Sequence, residues 1–435
     1  MAETRVLGCW ETIQKTFHQQ YRCAGMILQV VRIEGGLTAG LLAQALAVLQ
    51  LRHPLLRARF GEEGGRPAFI VATPDAGALR VPLRVVPMED DGAWQRLGES
   101  EAMRDFDGEF LWRAILLEGA ACCDIIFLIH HAIADGHSIV RLVHDLMTLC
   151  CAIAEGRAGT DDYAPLPLLP AADELLNRSL PPGSPAGLPA TGEQEGALYR
   201  FPFEGCAPPE ERRLGTCFRQ IEKEAVALLQ SRCRNCGVTP TGAITAALLQ
   251  AAADTAAAPQ RLSMDTGLSL RRYCAPEIGP EHVGCNIMML QTSHSLKHGG
   301  DFWSFAAACQ QELRRAAALK QRQGFLPRGF HPAFVASSIG SNLQESGQAG
   351  HFANGICFSN PGVVSVDEKY GPFRVQDIYN VTCETAGLWL LFLGTHVLHG
   401  RLYCDFSFAE PLASRTTVEG IADRMVCTIR QKAHG

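Results

Sequence analysis

Residues 130–136 read His130-His131-Ala132-Ile133-Ala134-Asp135-Gly136, and more can be read from these seven positions than from any other stretch. The apolar run Ile125-Ile126-Phe127-Leu128-Ile129 before them reads as a strand. The run from Ile139 to Leu149 after them reads as a helix. Side chains along an extended strand alternate between faces, so two adjacent extended histidines cannot both face one cavity. That disfavours a metal ion shared by the pair. It favours a division of labour in which His131 faces a reacting group and His130 packs or hydrogen-bonds behind it. A neutral imidazole, with an unperturbed pKa of about 6.5, can take a proton from a hydroxyl or an amine at neutral pH. Asp135 has two open roles: it fixes the imidazole directly, or it holds the loop by pairing with a distant cation. Gly136 is expected to permit a backbone conformation that a side chain would obstruct. Its N–H, near the start of the following helix, is a candidate oxyanion donor.

Working outward, the preceding segment alternates strands and helices. Ile27 to Ile33 reads as a strand, and Leu41, Leu42, Ala45, Leu46 and Leu49 form an apolar stripe at helical spacing. In Arg52-His53-Pro54-Leu55-Leu56-Arg57-Ala58-Arg59-Phe60 the proline ends the helix, and the remainder reads as a strand. His53 is expected to be structural. Pro165 to Pro189 holds seven prolines with little periodicity beyond Ala171 to Leu175, and reads as a linker. The expected organisation is an N-terminal lobe at 1–164, a linker at 165–198 and a C-terminal lobe at 199–435.

In that second lobe Glu222 to Arg232 reads as a helix, and Gly237-Val238-Thr239-Pro240-Thr241 as a helix start with a threonine cap and proline in the first turn. Further helices are expected at Phe302 to Lys320 and at the C-terminus, where Val418, Ile421, Met425 and Ile429 share a face. Leu388 to Leu398 and Arg401 to Phe408 flank His399-Gly400 like a hairpin.

Composition narrows the classes. A chain of 435 residues suggests two domains, and 47% hydrophobic against 19% charged residues suits a large core. A net charge of −6 with no long basic block argues against a nucleic-acid surface. The first residues lack the apolar core of a signal peptide, and no apolar run looks long enough to span a bilayer, so a cytoplasmic protein is expected. The seventeen cysteines are read mostly as small buried hydrophobes; the one Cys-x-x-Cys, Cys233 to Cys236, has no second pair at zinc spacing. His137 and His144, seven apart on one helix, are read as solvated or locally hydrogen-bonded, and His396 and His399 carry no assigned role.

The pattern His-His-x-x-x-Asp-Gly at 130–136 resembles the signature of the chloramphenicol-acetyltransferase-like, condensation-domain superfamily of acyltransferases. Other segments resemble that superfamily in the expected order: His53-Pro54-Leu55-Leu56-Arg57, the Gly-Val-Thr helix start, Ser269-Leu270-Arg271, and Ser359-Asn360-Pro361-Gly362. The likeness is greatest to free-standing condensation-like and polyketide-associated acyltransferases. The Asp-Phe-Gly-Trp-Gly motif of the plant branch is absent, and Cys404-Asp405-Phe406-Ser407-Phe408 is no equivalent.

The resemblance implies an α/β fold of two lobes, each a mixed sheet flanked by helices, with a tunnel between them. It implies His131 as general base, Asp135 and Gly136 as its motif companions, and His130 as structural. Asp135 would pair with an arginine of the other lobe, with Arg271 the candidate and Arg272 its neighbour. Ser359 and Asn360 would line the substrate path. The implied reaction moves an acyl group from a thioester on coenzyme A or a phosphopantetheinyl carrier protein to an acceptor hydroxyl, forming an ester in natural-product or lipid biosynthesis. No cofactor would be permanently bound, no metal is implied, and a free-standing monomer is expected. Alternatives are an amide-forming enzyme with an amine acceptor, a non-catalytic carrier-binding relative, and a metal-dependent hydrolase, the last disfavoured by the strand geometry.

Overall fold

The computed structural model describes residues 2–73, 80–157, 164–179, 197–256, 261–296, 300–323, 325 and 332–434. The chain forms two compact units of the mixed α/β type expected. The first comprises Met1–Ser179, Leu270–Ile287 and Val364–Cys383; the second comprises Leu180–Ser269, Met288–Val363 and Glu384–Gly435.

A single boundary at 165–198 therefore does not describe the chain, because two later segments return to the first unit. The reason is backbone pairing. Strand Phe373–Thr382 runs antiparallel to strand Met26–Glu34 from Arg374↔Glu34 to Thr382↔Ile27, so its hydrogen bonds are met in the first sheet. Within the expected linker, Ala172–Ser179 is a helix that buries Ala172, Leu175 and Leu176. Residues 180–196 of that linker lie outside the described residues.

The first unit is built on a six-stranded sheet in the order Lys369–Tyr370, Phe373–Thr382, Met26–Glu34, Cys122–His130, Trp112–Glu118, Leu83–Pro87. Only the last pair is parallel. Met26–Glu34 and Cys122–His130 are central and buried almost throughout, which is why they read as continuous apolar runs rather than alternating ones. Helix Gly136–Ala154 follows the motif and buries Ile139, Leu142, Val143, Leu146, Leu149 and Cys150, one face at helical spacing. By length and composition this helix could cross a membrane, contrary to expectation, with a mean hydropathy of 1.3. Yet 61% of that stretch is buried inside the protein, as in a core helix.

The second unit is a seven-stranded sheet. Its order is Ile287–Ser295, Arg261–Ser269, Ile356–Val363, Phe392–Leu398, Arg401–Glu410, Arg213–Ile221, with Leu198–Tyr199 beside Arg261–Ser269. Helices Lys223–Asn235, Pro240–Ala253 and Arg415–His434 pack against it. Thr239 caps Pro240–Ala253 through its side chain, with Pro240 in the first turn, as the sequence suggests. The hairpin is also present, with His399 at φ 49° and Gly400 at φ 84°, the two positive values a tight hairpin turn requires. Residues 388–391 are outside its first strand.

One further local reading changes. Pro54–Arg57 is a 3₁₀ turn, and the strand begins only at Ala58. Arg57 causes this: its guanidinium donates to the carbonyls of Gln50, Leu51 and Ala72, closing the turn onto the preceding helix end.

Candidate active site

The motif sits where the central strand of the first unit ends. Cys122–His130 pairs with Met26–Glu34 in the register Met26↔His130, so His130 is the last extended residue. The chain then turns. The N–H of Ile133 donates to the His130 carbonyl at 3.0 Å, and the N–H of Ala132 donates to His130 Nδ1 at 3.0 Å. The two histidines therefore differ because one ends the strand and the other starts a turn, not because both alternate along a strand. His131 lies on the turn and is partly exposed.

His130 is buried beneath the rings of His18, Phe60 and Phe106, at centroid distances of 4.5, 5.0 and 6.2 Å. Burial, with the nearby His18, His131 and Lys15, pushes its pKa well below the ordinary value, so it stays neutral. Because Nδ1 accepts from Ala132, the proton of the neutral ring is on Nε2. Through that bond the ring is tied to the first residues of the turn.

His131 is also pushed down from the ordinary histidine value by burial, against opposition from the Asp135 charge and from the backbone of His131 and Ala134. The result is an imidazole that is unprotonated at neutral pH, with its Nδ1 buried.

Asp135 is the N-cap of helix Gly136–Ala154, and its carboxylate is saturated with donors. Oδ1 accepts from the Ser138 N–H at 2.8 Å and the Ser138 hydroxyl at 2.7 Å. Oδ2 accepts from the Asn286 N–H at 3.1 Å, and Arg271 Nη2 lies 3.2 Å from Oδ1 and 3.4 Å from Oδ2. Burial would raise this carboxyl, but Arg271 and Ser138 outweigh it and hold it below the usual carboxylate range. Of the two roles left open by the sequence, this geometry is the loop-holding one.

Arg271 is itself fixed, donating through Nη1 to the carbonyls of Gly279 and His282 at 3.2 and 2.8 Å. It belongs to segment Leu270–Ile287 of the first unit, so the cation that pairs with Asp135 does not come from the other unit. That segment is pinned by Ser138, whose hydroxyl accepts from the Gly284 N–H at 3.0 Å and from Arg271 Nη2 at 2.9 Å. Ser138, Gly284 and Asn286 were not read from the sequence. Ser138 was legible in part, since an Asp before an apolar helix is a preferred N-cap and accepts the N–H of the third residue on. Gly284 and Asn286 act through backbone groups and leave no such signal.

Gly136 is the first residue of the helix. Its φ is not in the left-handed region, and a Cβ added there would meet nothing within 4 Å. The expectation that its backbone excludes a side chain is overturned. What the glycine leaves is open space beside the first turn, where the N–H groups of Gly136 and His137 have no intrahelical acceptor.

Ser359 and Asn360 lie in the second unit, on strand Ile356–Val363. Asn360 donates to Thr241 Oγ1 at 3.2 Å and accepts from the Gly362 N–H at 2.9 Å, holding a register shift between Ser359 and Gly362. Its local bonds support an irregular strand. The remaining candidates are quiet. His53 is buried against Asp145 at 2.9 Å, His144 bonds Tyr370 Oη at 3.1 Å, and Cys233 is buried while Cys236 is exposed. Twelve of the seventeen cysteines are buried, which fits their reading as small hydrophobes.

Residues 12–163 match the family model described as Condensation domain. Over 143 residues, 33% of this chain, the sequence is 30% identical to cyclosporin synthetase of Tolypocladium inflatum. The chain spans about 1% of that synthetase, and no more than 4% of the other curated synthetases it matches. Among solved structures, polyketide synthase associated protein 5 from Mycobacterium tuberculosis is 16% identical with a TM-score of 0.71, covering 100% of both chains. The trichothecene 15-O-acetyltransferase TRI3 from Fusarium sporotrichioides is 14% identical with a TM-score of 0.72, covering 99% of this chain and 95% of that one. The first third of the chain thus matches the condensation-domain family, and the whole chain has the fold of condensation domains and chloramphenicol-acetyltransferase-like acyltransferases.

Proposed function

From the condensation-domain fold and the motif geometry together, we propose that this chain is an acyltransferase with His131 as its general base. The observation that carries the reading is the state of His131. It is a partly exposed, unprotonated imidazole on a turn that is braced beneath by His130 and beside it by Asp135 and Arg271. Its buried Nδ1 cannot reach a substrate, which leaves Nε2 to take the proton.

The acceptor oxygen attacks the thioester carbonyl carbon as its proton passes to His131. The resulting oxyanion is assigned to the open N–H of Gly136 at the helix start. Collapse breaks the carbon–sulfur bond, and the leaving thiolate recovers the proton from His131. Asp135 and Arg271 position the loop and touch no reacting atom. Ser359 and Asn360 are assigned to substrate contact. The donor is a coenzyme A or carrier-protein thioester, the enzyme holds no permanent cofactor, and it works as a cytoplasmic monomer.

A hydroxyl acceptor is favoured by the likeness over nearly the full chain to an O-acetyltransferase. An amine acceptor is the second reading, favoured by the sequence match to peptide synthetases. Purified protein offered acyl-coenzyme A donors of graded length with alcohols and amines, read by mass spectrometry, tests both. We expect acylated products that His131→Ala forms about 10²–10⁴-fold more slowly. Products cleaved by hydroxylamine are esters, and those that persist are amides. Equal rates from both proteins would remove His131 from the reaction.

A further inference from the structure

Beside His130, whose ring is in contact with that of His18, three side chains with metal-binding atoms converge. His18 is in the last turn of helix Cys9–Gln20. The chain then reverses through Arg22 and Cys23, at φ 43° and 63°, with the Cys23 N–H donating to the His18 carbonyl at 3.1 Å. That reversal brings the Cys23 thiol beside the imidazole. Asp105, beyond helix Ala93–Glu101, completes the group, with Oδ1 2.9 Å from His18 Nε2. One ligand atom from each of the three residues lies within 4.8 Å of the others.

We propose that His18, Cys23 and Asp105 bind a divalent ion of the zinc class. The donor set selects the ion: one imidazole nitrogen, one sulfur and one carboxylate oxygen suit zinc, whereas magnesium and calcium take oxygen ligands. His18 and Cys23 are buried, at 5% and 3% exposure, while the Asp105 side chain is 74% exposed, so the ion enters past Asp105. Nε2 is the nitrogen that faces Asp105, so it is the ligand atom of the imidazole. Three protein ligands leave a fourth position for water.

Two charges oppose the ion, Arg22 and Arg113, both near the Cys23 thiol. Arg113 lies close enough to depress the His18 pKa, but its guanidinium is held by the carbonyls of Glu101, Arg104 and Asp105. The thiol must also give up its proton, so binding strengthens as pH rises. The ion takes no part in the acyl-transfer chemistry proposed above. It would tie the end of the first helix, the 21–25 turn and the 105 loop together against His130, whose ring lies 4.5 Å from that of His18.

The test uses the full chain after dialysis against a chelator. It is titrated with cobalt(II) while thiolate-to-cobalt absorption is followed, then with zinc against a chromogenic chelator. We expect one equivalent of cobalt with a thiolate band, displacement by zinc, and a higher melting temperature with zinc. Cys23→Ser should abolish the band, Asp105→Ala should weaken zinc binding by about tenfold, and Cys427→Ser, at an exposed thiol, should change nothing. The proposal is overturned if the protein takes up no saturable equivalent, or if the band survives in Cys23→Ser. Should Cys23→Ser fail to fold by circular dichroism, Asp105→Ala decides, and unweakened binding in that variant overturns the site.

Discussion

Asp135 and Asp265 are both buried carboxylates, 2% and 5% exposed, one in each unit, and their pKa values are shifted in opposite directions. Asp135 has a guanidinium against it and is held low. Asp265 is met by neutral donors: Trp389 Nε1–H at 2.6 Å and Asn354 Nδ2–H at 2.7 Å, with the Gln291 side chain nearby. Burial wins there and pushes Asp265 up to about 6. Glu384, also in the second unit, is pushed up to about 7 by burial although the N–H groups of Gly387 and Leu388 donate to it at 2.9 Å each. Neutral hydrogen bonds leave these two buried carboxyls shifted upward, and at Glu384 the charge of Arg212 does not reverse the shift, whereas the arginine bonded to Asp135 does.

The largest effect should come from breaking the charged pair from one side. Arg271→Met leaves Asp135 buried without its cation, and a loss of about 3–5 kcal/mol of stability is expected in urea unfolding. Adding Asp135→Asn should return part of that loss, because no uncompensated charge then remains. A loss under about 1 kcal/mol for Arg271→Met would mean that Ser138 and Asn286 suffice to hold the carboxylate, and the contrast with Asp265 would collapse.

The next effect is one of pH, and the two sites have opposite signs. Asp265 has a folded pKa above its unfolded one, so the folded protein holds more protons between about 4 and 6. Its stabilising share is complete below that window and is lost as pH rises through about 6. Asp265→Asn removes the loss and should stabilise the protein at pH 8 by about 2–3 kcal/mol, at about 1.4 kcal/mol per pKa unit. Asp135 contributes above its unfolded value and loses that contribution as pH falls through its lower folded value. Urea midpoints for the protein and Asp265→Asn, measured from pH 4 to pH 8, give the comparison directly. Parallel curves would show that Asp265 is not protonated in that range.

The smallest effect on stability, and the sharpest test of the motif, is Gly136→Ala. The added methyl meets no neighbour within 4 Å and the residue is helical, so stability should change by less than about 1 kcal/mol. Acyl-transfer kcat/KM should nevertheless fall severalfold, because the methyl occupies the space assigned to the reacting carbonyl. A folded Gly136→Ala enzyme with unchanged kcat/KM would remove that glycine from the reaction.

Much of the motif was legible because its parts are local. An apolar run ending in two histidines and a helical stripe after it are both contained in residues 125–149, and the structure has that strand, turn and helix. The unit boundaries were less legible. Phe373–Thr382 reads no differently from a strand of the second sheet, and only its pairing with Met26–Glu34 assigns it to the first. Arg271 was found through the segment it resembles, but its unit was misjudged for the same reason. The role of Gly136 was misread because positive φ is a property of a particular backbone, which residue type does not report.

By itself the sequence determined the periodicities, and with them the central strands, most of the helices, the cap at Thr239 and the turn at His399-Gly400. These depend on interactions between residues a few positions apart, where spacing and residue type are sufficient. The tertiary structure decided the rest: which way each buried carboxyl is shifted, which histidine is walled in by His18, Phe60 and Phe106, and which unit owns Arg271. Those outcomes depend on burial and on partners brought together by folding, such as Arg271 and Asp135, 136 residues apart in the chain. Desolvation and charge pairing act through space, and spacing along the chain carries no record of them.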